Sequence, residues 1–92
     1  MKANIKKYEK RARVIKALGH PSRLLMADEL GKGERCVCRL VELIGHDFST
    51  VSKHLTVLRK AGIVEMEKRG KKVFYRLRIP CLLRFMDCVD AV

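Results

Sequence analysis

The chain has 92 residues, 48% of them apolar but only 5% aromatic and none tryptophan, so one small aliphatic core over residues 1–92 is expected, without a separate ligand domain. A formal net charge of +11, from 21 Lys and Arg against 10 Asp and Glu, calls for a polyanionic partner and, with so many apolar residues, excludes a disordered chain. No apolar run approaches the roughly 18 residues of a membrane span, and no apolar stretch follows the Lys-rich start, so no membrane insertion, no secretion and a cytoplasmic location are expected.

Residues 4–18 carry Ile5, Tyr8, Ala12, Ile15 and Leu18 at helical spacing, with six Lys and Arg between them. A membrane-surface helix would look similar, but this apolar face lacks Trp and Phe, which favours a nucleic acid as the polyanion. Gly19 ends the helix. Pro21 suits the first position of the next one, where its missing N–H costs nothing, and Leu24, Leu25, Ala27 and Leu30 continue it to the Gly31-Lys-Gly33 loop.

A third helix is predicted from Cys36 to Ile44, with Val37, Leu40, Val41 and Ile44 buried and Gly45 closing it. After the short His46-Asp47-Phe48 loop comes a fourth, with Ser49 as N-cap, Asp47 as a second candidate for that position, and Gly62 as the stop. Val51, Leu55 and Leu58 form its apolar stripe. The other side is short, polar and cationic: Ser49, Thr50, Ser52, Lys53, His54, Thr56 and Lys60 are side chains suited to base edges and phosphates in a major groove. Two helices joined by about four residues, the second polar and basic on one side, make a helix-turn-helix.

Beyond Gly62 the period changes from 3.6 to 2, predicting a hairpin of 63–68 with 73–79. On the second strand Val73, Tyr75, Leu77 and Ile79 share one face, and Phe74, Arg76 and Arg78 the other. Arg69, Lys71 and Lys72 at its tip suit phosphate or minor-groove contact. A last helix, from Pro80 to about Ala91, carries Leu82, Phe85, Met86 and Val89. So small a domain cannot cover the apolar faces of both its first and last helices, which implies a second copy of the chain. No nucleophile, base and orienting group fall in a recognisable set, so the chain is not expected to be an enzyme.

The order α-α-α-α-β-β-α and several of its motifs resemble the ArsR/SmtB family of winged-helix repressors, over most of the chain. Leu18-Gly-His-Pro-Ser-Arg23 resembles the family's Leu-x-x-Pro-Thr-Arg opening, and Cys36-Val-Cys-Arg-Leu40 its Cys-Val-Cys-Asp/Glu-Leu metal box. Ser49-Thr-Val-Ser-Lys-His-Leu55 resembles its recognition helix, and Lys71-Lys-Val-Phe-Tyr-Arg-Leu77 its wing. The resemblance implies a mainly α, winged helix-turn-helix homodimer that binds double-stranded operator DNA. It further implies a repressor that needs no cofactor to bind and is released when a metal, metalloid or oxidant engages its thiols. Two departures narrow the inducer. Arg39 stands where the metal box carries a carboxylate, with Arg35 on the other flank, and both cations favour thiolate. The family's zinc and nickel sites on the last helix use Asp and His, and no His follows Pro80.

Four cysteines in a reducing compartment read as thiols, metal ligands or redox sensors. Cys36 and Cys38 are the candidate sensor pair, for which thiolate softness favours arsenite or antimonite, then cadmium or lead. Two residues apart on a regular helix they would point about 200° from each other, so joint binding of one small ion requires an unwound first turn. Two small buried hydrophobes is the plainer reading, but opposite faces cannot both be core. Cys81 and Cys88, seven apart on the last helix, are interface packing or the source of a third thiolate. About 10 Å of helix separates them, too far for a disulfide within one subunit, which leaves a bond across the dimer as the way they could pair. Two alternatives stand beside the metalloid reading: a redox switch without metal, and a constitutive DNA-binding module.

Overall fold

The structure is a computed structural model and describes residues 3–92. Among these residues the chain forms five helices and a small sheet, in the order α1 (Ile5–Leu18), α2 (Pro21–Gly31), β1 (Arg35–Cys36), α3 (Val37–Ile44), α4 (Phe48–Lys60), β2 (Val64–Arg69), β3 (Lys72–Leu77) and α5 (Leu82–Asp90). The strands run antiparallel in the order β1-β3-β2.

Local chemistry accounts for most boundaries. His20 caps α2, its Nδ1 accepting the Ser22 N–H at 3.1 Å, with Pro21 just inside. Gly45, at φ 76°, gives α3 its left-handed stop and lets the chain turn at once into α4. Val51, Leu55 and Leu58, spaced i, i+4 and i+7, are at most 1% exposed and seat α4 on Met26, Leu40, Ile63 and Val64. Each such burial contributes about 1.5–3 kcal/mol, so this contact fixes how α4 is presented.

Three predicted boundaries are corrected. α4 starts at Phe48, with Asp47 rather than Ser49 in the cap position. α5 starts at Leu82, leaving Cys81 in the cap position before it. Most consequentially, α3 starts at Val37. Cys36 has extended backbone, φ −70° and ψ 147°, because it belongs to a strand the periodicity did not reveal. Two residues carry no period, and β1 exists only through its pairing with β3, Arg35 opposite Tyr75 and Cys36 opposite Phe74.

The hairpin turns at Gly70 and Lys71. Gly70 has φ 62°, as the first central residue of a two-residue II′ turn requires. Tyr75 is buried, with Val73, Leu77 and Ile79 packed partly against the core, as the alternation predicts.

The outer apolar faces stay uncovered. On α1 only Ala17 and Leu18 are buried, and Ile15 is 60% exposed; on α5, Phe85 is 54% and Val89 51% exposed. Ile15, Leu18, Phe85 and Val89, with Leu24 and Leu25 of α2, line a mainly apolar groove of about 450 Å³ that Asp28, Asp87 and Asp90 also border.

Candidate nucleic-acid interface and thiol pair

Successive residues of α4 turn by about 100°, which sorts its side chains into faces. Ser49, Lys53 and Lys60 lie on the exposed face opposite the core. Ser52, Thr56 and Arg59 line one flank, toward the hairpin. Thr50 donates its hydroxyl proton to Asp47, and that hydrogen bond holds the Asp47 carboxyl below its usual range. Thr56 donates to the Ser52 carbonyl at 2.9 Å. His54 sits on the other flank, its ring centroid 4.4 Å from that of His20. Burial, then the nearby His20, Arg23 and His46, lower its pKa, so a neutral ring packs beside α2.

The cations at the hairpin tip divide into two kinds. Lys71 and Lys72 are exposed and have no carboxylate partner among the described residues. Arg69 is held fast: its guanidinium donates to both Glu34 oxygens at 2.6 and 2.9 Å, donates to Glu67, and lies 4.7 Å from the Phe74 ring centroid. Arg76 donates to Glu65 at 2.7 Å, to Glu67 at 3.0 Å and to Glu34 at 3.2 Å. Hydrogen bonds from Arg69, then Arg76, lower the Glu67 carboxyl to about 2, and the same network raises both guanidinium pKa values. These groups tie the segment entering β1 to the hairpin.

Cys36 stands directly after that segment. Its Sγ accepts the Cys38 N–H at 3.3 Å and is bonded to the Cys38 sulfur as a disulfide, with the two Cα atoms 5.4 Å apart. The opposed orientation expected within a helix therefore does not arise, since Cys36 precedes α3. Cys36 is half-buried and Cys38 exposed. Both line a cleft of about 520 Å³ between α4 and the hairpin, with Ser52, Thr56, Arg59 and Lys71 among its other walls.

Cys81 and Cys88 are exposed free thiols at the start and along the length of α5, and neither lines this cleft. Among the described residues no three His, Cys, Asp or Glu side chains converge as metal donors. Sequence reasoning missed Arg59, although its spacing from Ser52 and Thr56 places it on their flank. It also missed Glu34, which meets Arg69 across 35 residues and leaves no local pattern.

Residues 20–66 match the family model described as bacterial regulatory protein, arsR family. The chain is 37% identical over 87 residues to the uncharacterized HTH-type transcriptional regulator MJ1325 of Methanocaldococcus jannaschii, covering 90% of this chain and 98% of that one. It is 40% identical over 67 residues to a cadmium resistance transcriptional regulatory protein, a CadC homolog of Staphylococcus aureus, covering 72% of this chain and 55% of that one. The homodimeric winged helix-turn-helix DNA-binding domain Mb0332 of Mycobacterium bovis superposes with a TM-score of 0.86 at 28% identity, covering 99% of this chain and 91% of that one. These similar proteins are DNA-binding regulators rather than enzymes.

Proposed function

Since the chain belongs to the ArsR family of bacterial regulatory proteins, we propose that it is a homodimeric repressor, released from operator DNA in the cytoplasm when a thiophilic metalloid engages Cys36 and Cys38. Arsenite or antimonite is the preferred inducer, ahead of cadmium or lead. The observation that carries this reading is that the backbone brings both sulfurs to one point at the cleft between α4 and the hairpin, against Ser52, Thr56 and Lys71, so that the pair in its reduced, dithiol form can hold one metalloid between two thiolates. α4 reads the major groove through Ser49, Ser52, Lys53 and Thr56, and the hairpin is the wing that holds phosphate through Lys71 and Lys72. The uncovered faces of α1 and α5 meet their equivalents in a second copy, which supports a dimer like that of the mycobacterial domain.

The thiols act through what they are built into. Cys36 ends the strand paired with β3, and Cys38 lies in the first turn of α3, which packs on α4. A ligand bridging both sulfurs biases the angle between wing and recognition helix and adds bulk on the DNA side. A typical coupling of about 1–3 kcal/mol corresponds to roughly 5- to 150-fold weaker operator binding, and inducer affinity must fall by the same factor on DNA.

The sulfur–sulfur bond itself favours a second reading, in which an oxidant takes two electrons from the dithiol as two protons leave and the disulfide forms. The absence of a third donor beside the pair, among the described residues, also suits it. Fluorescence anisotropy of a labelled operator, titrated with arsenite, cadmium, zinc and peroxide, separates the two. Wild-type protein released by arsenite, and a Cys36→Ser/Cys38→Ser variant that binds the operator but is not released, support the metalloid. Arsenite release of that variant refutes thiol sensing, and wild-type release by peroxide alone establishes the redox switch.

A further inference from the structure

The flank of α4 that faces away from the wing borders a second cleft, of about 630 Å³, between α1, the start of α2 and the end of α4. Lys10, Arg13 and Lys16 of α1, Arg23 of α2 and Lys60 of α4 line it, above a floor that includes Val14, Ala17 and Val57. No carboxylate stands in its wall, and none of the five cations forms an ion pair among the described residues. The wing shows the contrast, since its arginines are bound to Glu34, Glu65 and Glu67. The Nε of Arg23 is also buried with no hydrogen-bond partner. Five unpaired cations gathered from three helices repel one another, and an orphaned donor among them lacks the acceptor that buried donors normally have.

We propose that this cleft holds backbone phosphates of DNA beyond the bases that α4 reads. The inference rests on the operator-binding reading and extends it. Its position favours DNA over a small anion. Lys60 belongs both to the cleft and to the outward face of α4 that carries Ser49 and Lys53, so a duplex lying along that face passes directly onto Lys60. Wing lysines then flank α4 on one side and the α1 cations on the other. Each cation that meets a phosphate releases condensed counterion, contributing about 0.9 to the log–log salt slope.

Because α1 also carries the dimer face, the cleft looks toward the two-fold axis, and the phosphates it meets lie between the two half-sites. The test uses a duplex selected from a random library by the wild-type protein, fully charged and in a form whose phosphates between the half-sites are replaced by neutral methylphosphonates. Wild type should bind the charged duplex more tightly, and with a steeper salt slope. Lys10→Gln/Arg13→Gln should bind the neutralised duplex as wild type does while losing the gain from the central phosphates, its slope on the charged duplex falling by at least about two units. Lys16→Gln, with a wild-type melting profile, should show the same loss in smaller degree. Equal wild-type affinity for both duplexes, or variants that weaken both forms alike, would overturn the inference and leave the operator reading standing. Pyrophosphate that raises the wild-type melting temperature but not that of the double variant, with no change in DNA binding, would overturn it in favour of a small-anion site. Failure to select any duplex would overturn the operator reading first, and the inference with it.

Discussion

Replacing both Lys71 and Lys72 by Gln should weaken binding to every DNA sequence alike, and far more than replacing Arg69 does. The two lysines are exposed and unpaired at the wing tip, whereas Arg69 spends its donors on Glu34 and Glu67. Two lysines on each of two wings, at about 0.9 per phosphate contact, make the salt slope of the dimer shallower by as much as about 3.6. Between about 0.05 and about 0.2 M salt, the wild type would then lose roughly 150-fold more affinity than the variant. Arg69→Gln should shift the slope by less than about one unit for the dimer, because a guanidinium bound to two carboxylates is a poor phosphate ligand. It should instead loosen the wing, which amide exchange along β3 would register. Anisotropy titrations at five salt concentrations, on operator and on random duplex, give both slopes. The reasoning is refuted if Arg69→Gln flattens the slope as much as the lysine pair does, or if the lysine pair leaves it unchanged.

Phe85→Asp, which sets a carboxylate in the apolar groove beside Leu25 and Val89, should give a monomer at micromolar concentration by sedimentation and lower operator affinity, since two half-sites are no longer held at one helical repeat. A variant that remains dimeric would place the interface elsewhere. Glu67, whose pKa falls from 4.5 unfolded to about 2 in the fold, contributes stability that is complete above about pH 4.5 and lost as pH falls through about 2. The urea midpoints of wild type and Glu67→Gln should therefore differ at pH 6 and converge toward pH 2; a difference that persists in acid would contradict the ion-pair account. His54, with its pKa lowered from 6.5, favours the fold in neutral form, so wild-type stability should fall as pH drops below about 6.5, and His54→Asn should remove that step.

What this sequence determines by itself is whatever repeats along one element. The stripe of Val51, Leu55 and Leu58, the cap and Pro21 at the start of α2, the alternation in β3 and the left-handed glycines at turns are all written within a few residues of where they act. Helix, turn and hairpin could therefore be placed from the sequence, and with them the polar face of α4, the wing, and the surplus apolar faces of α1 and α5. The tertiary structure decided what depends on partners distant in the chain. Cys36 leaves the helix because β3, some 38 residues on, captures its backbone, and that pairing is what turns its sulfur toward Cys38. Arg69 reads in sequence as one more free cation, but Glu34 and Glu67 bind it; His54 reads as a groove residue, but His20 meets it. The cations of α1 read only as the charged side of a basic amphipathic helix until folding sets them beside Arg23 and Lys60 with no acid among them. Periodicity records which side of an element avoids water, and that preference is local. What a charge or a thiol does depends on the group within a few ångströms of it, and only the folded chain settles which group that is.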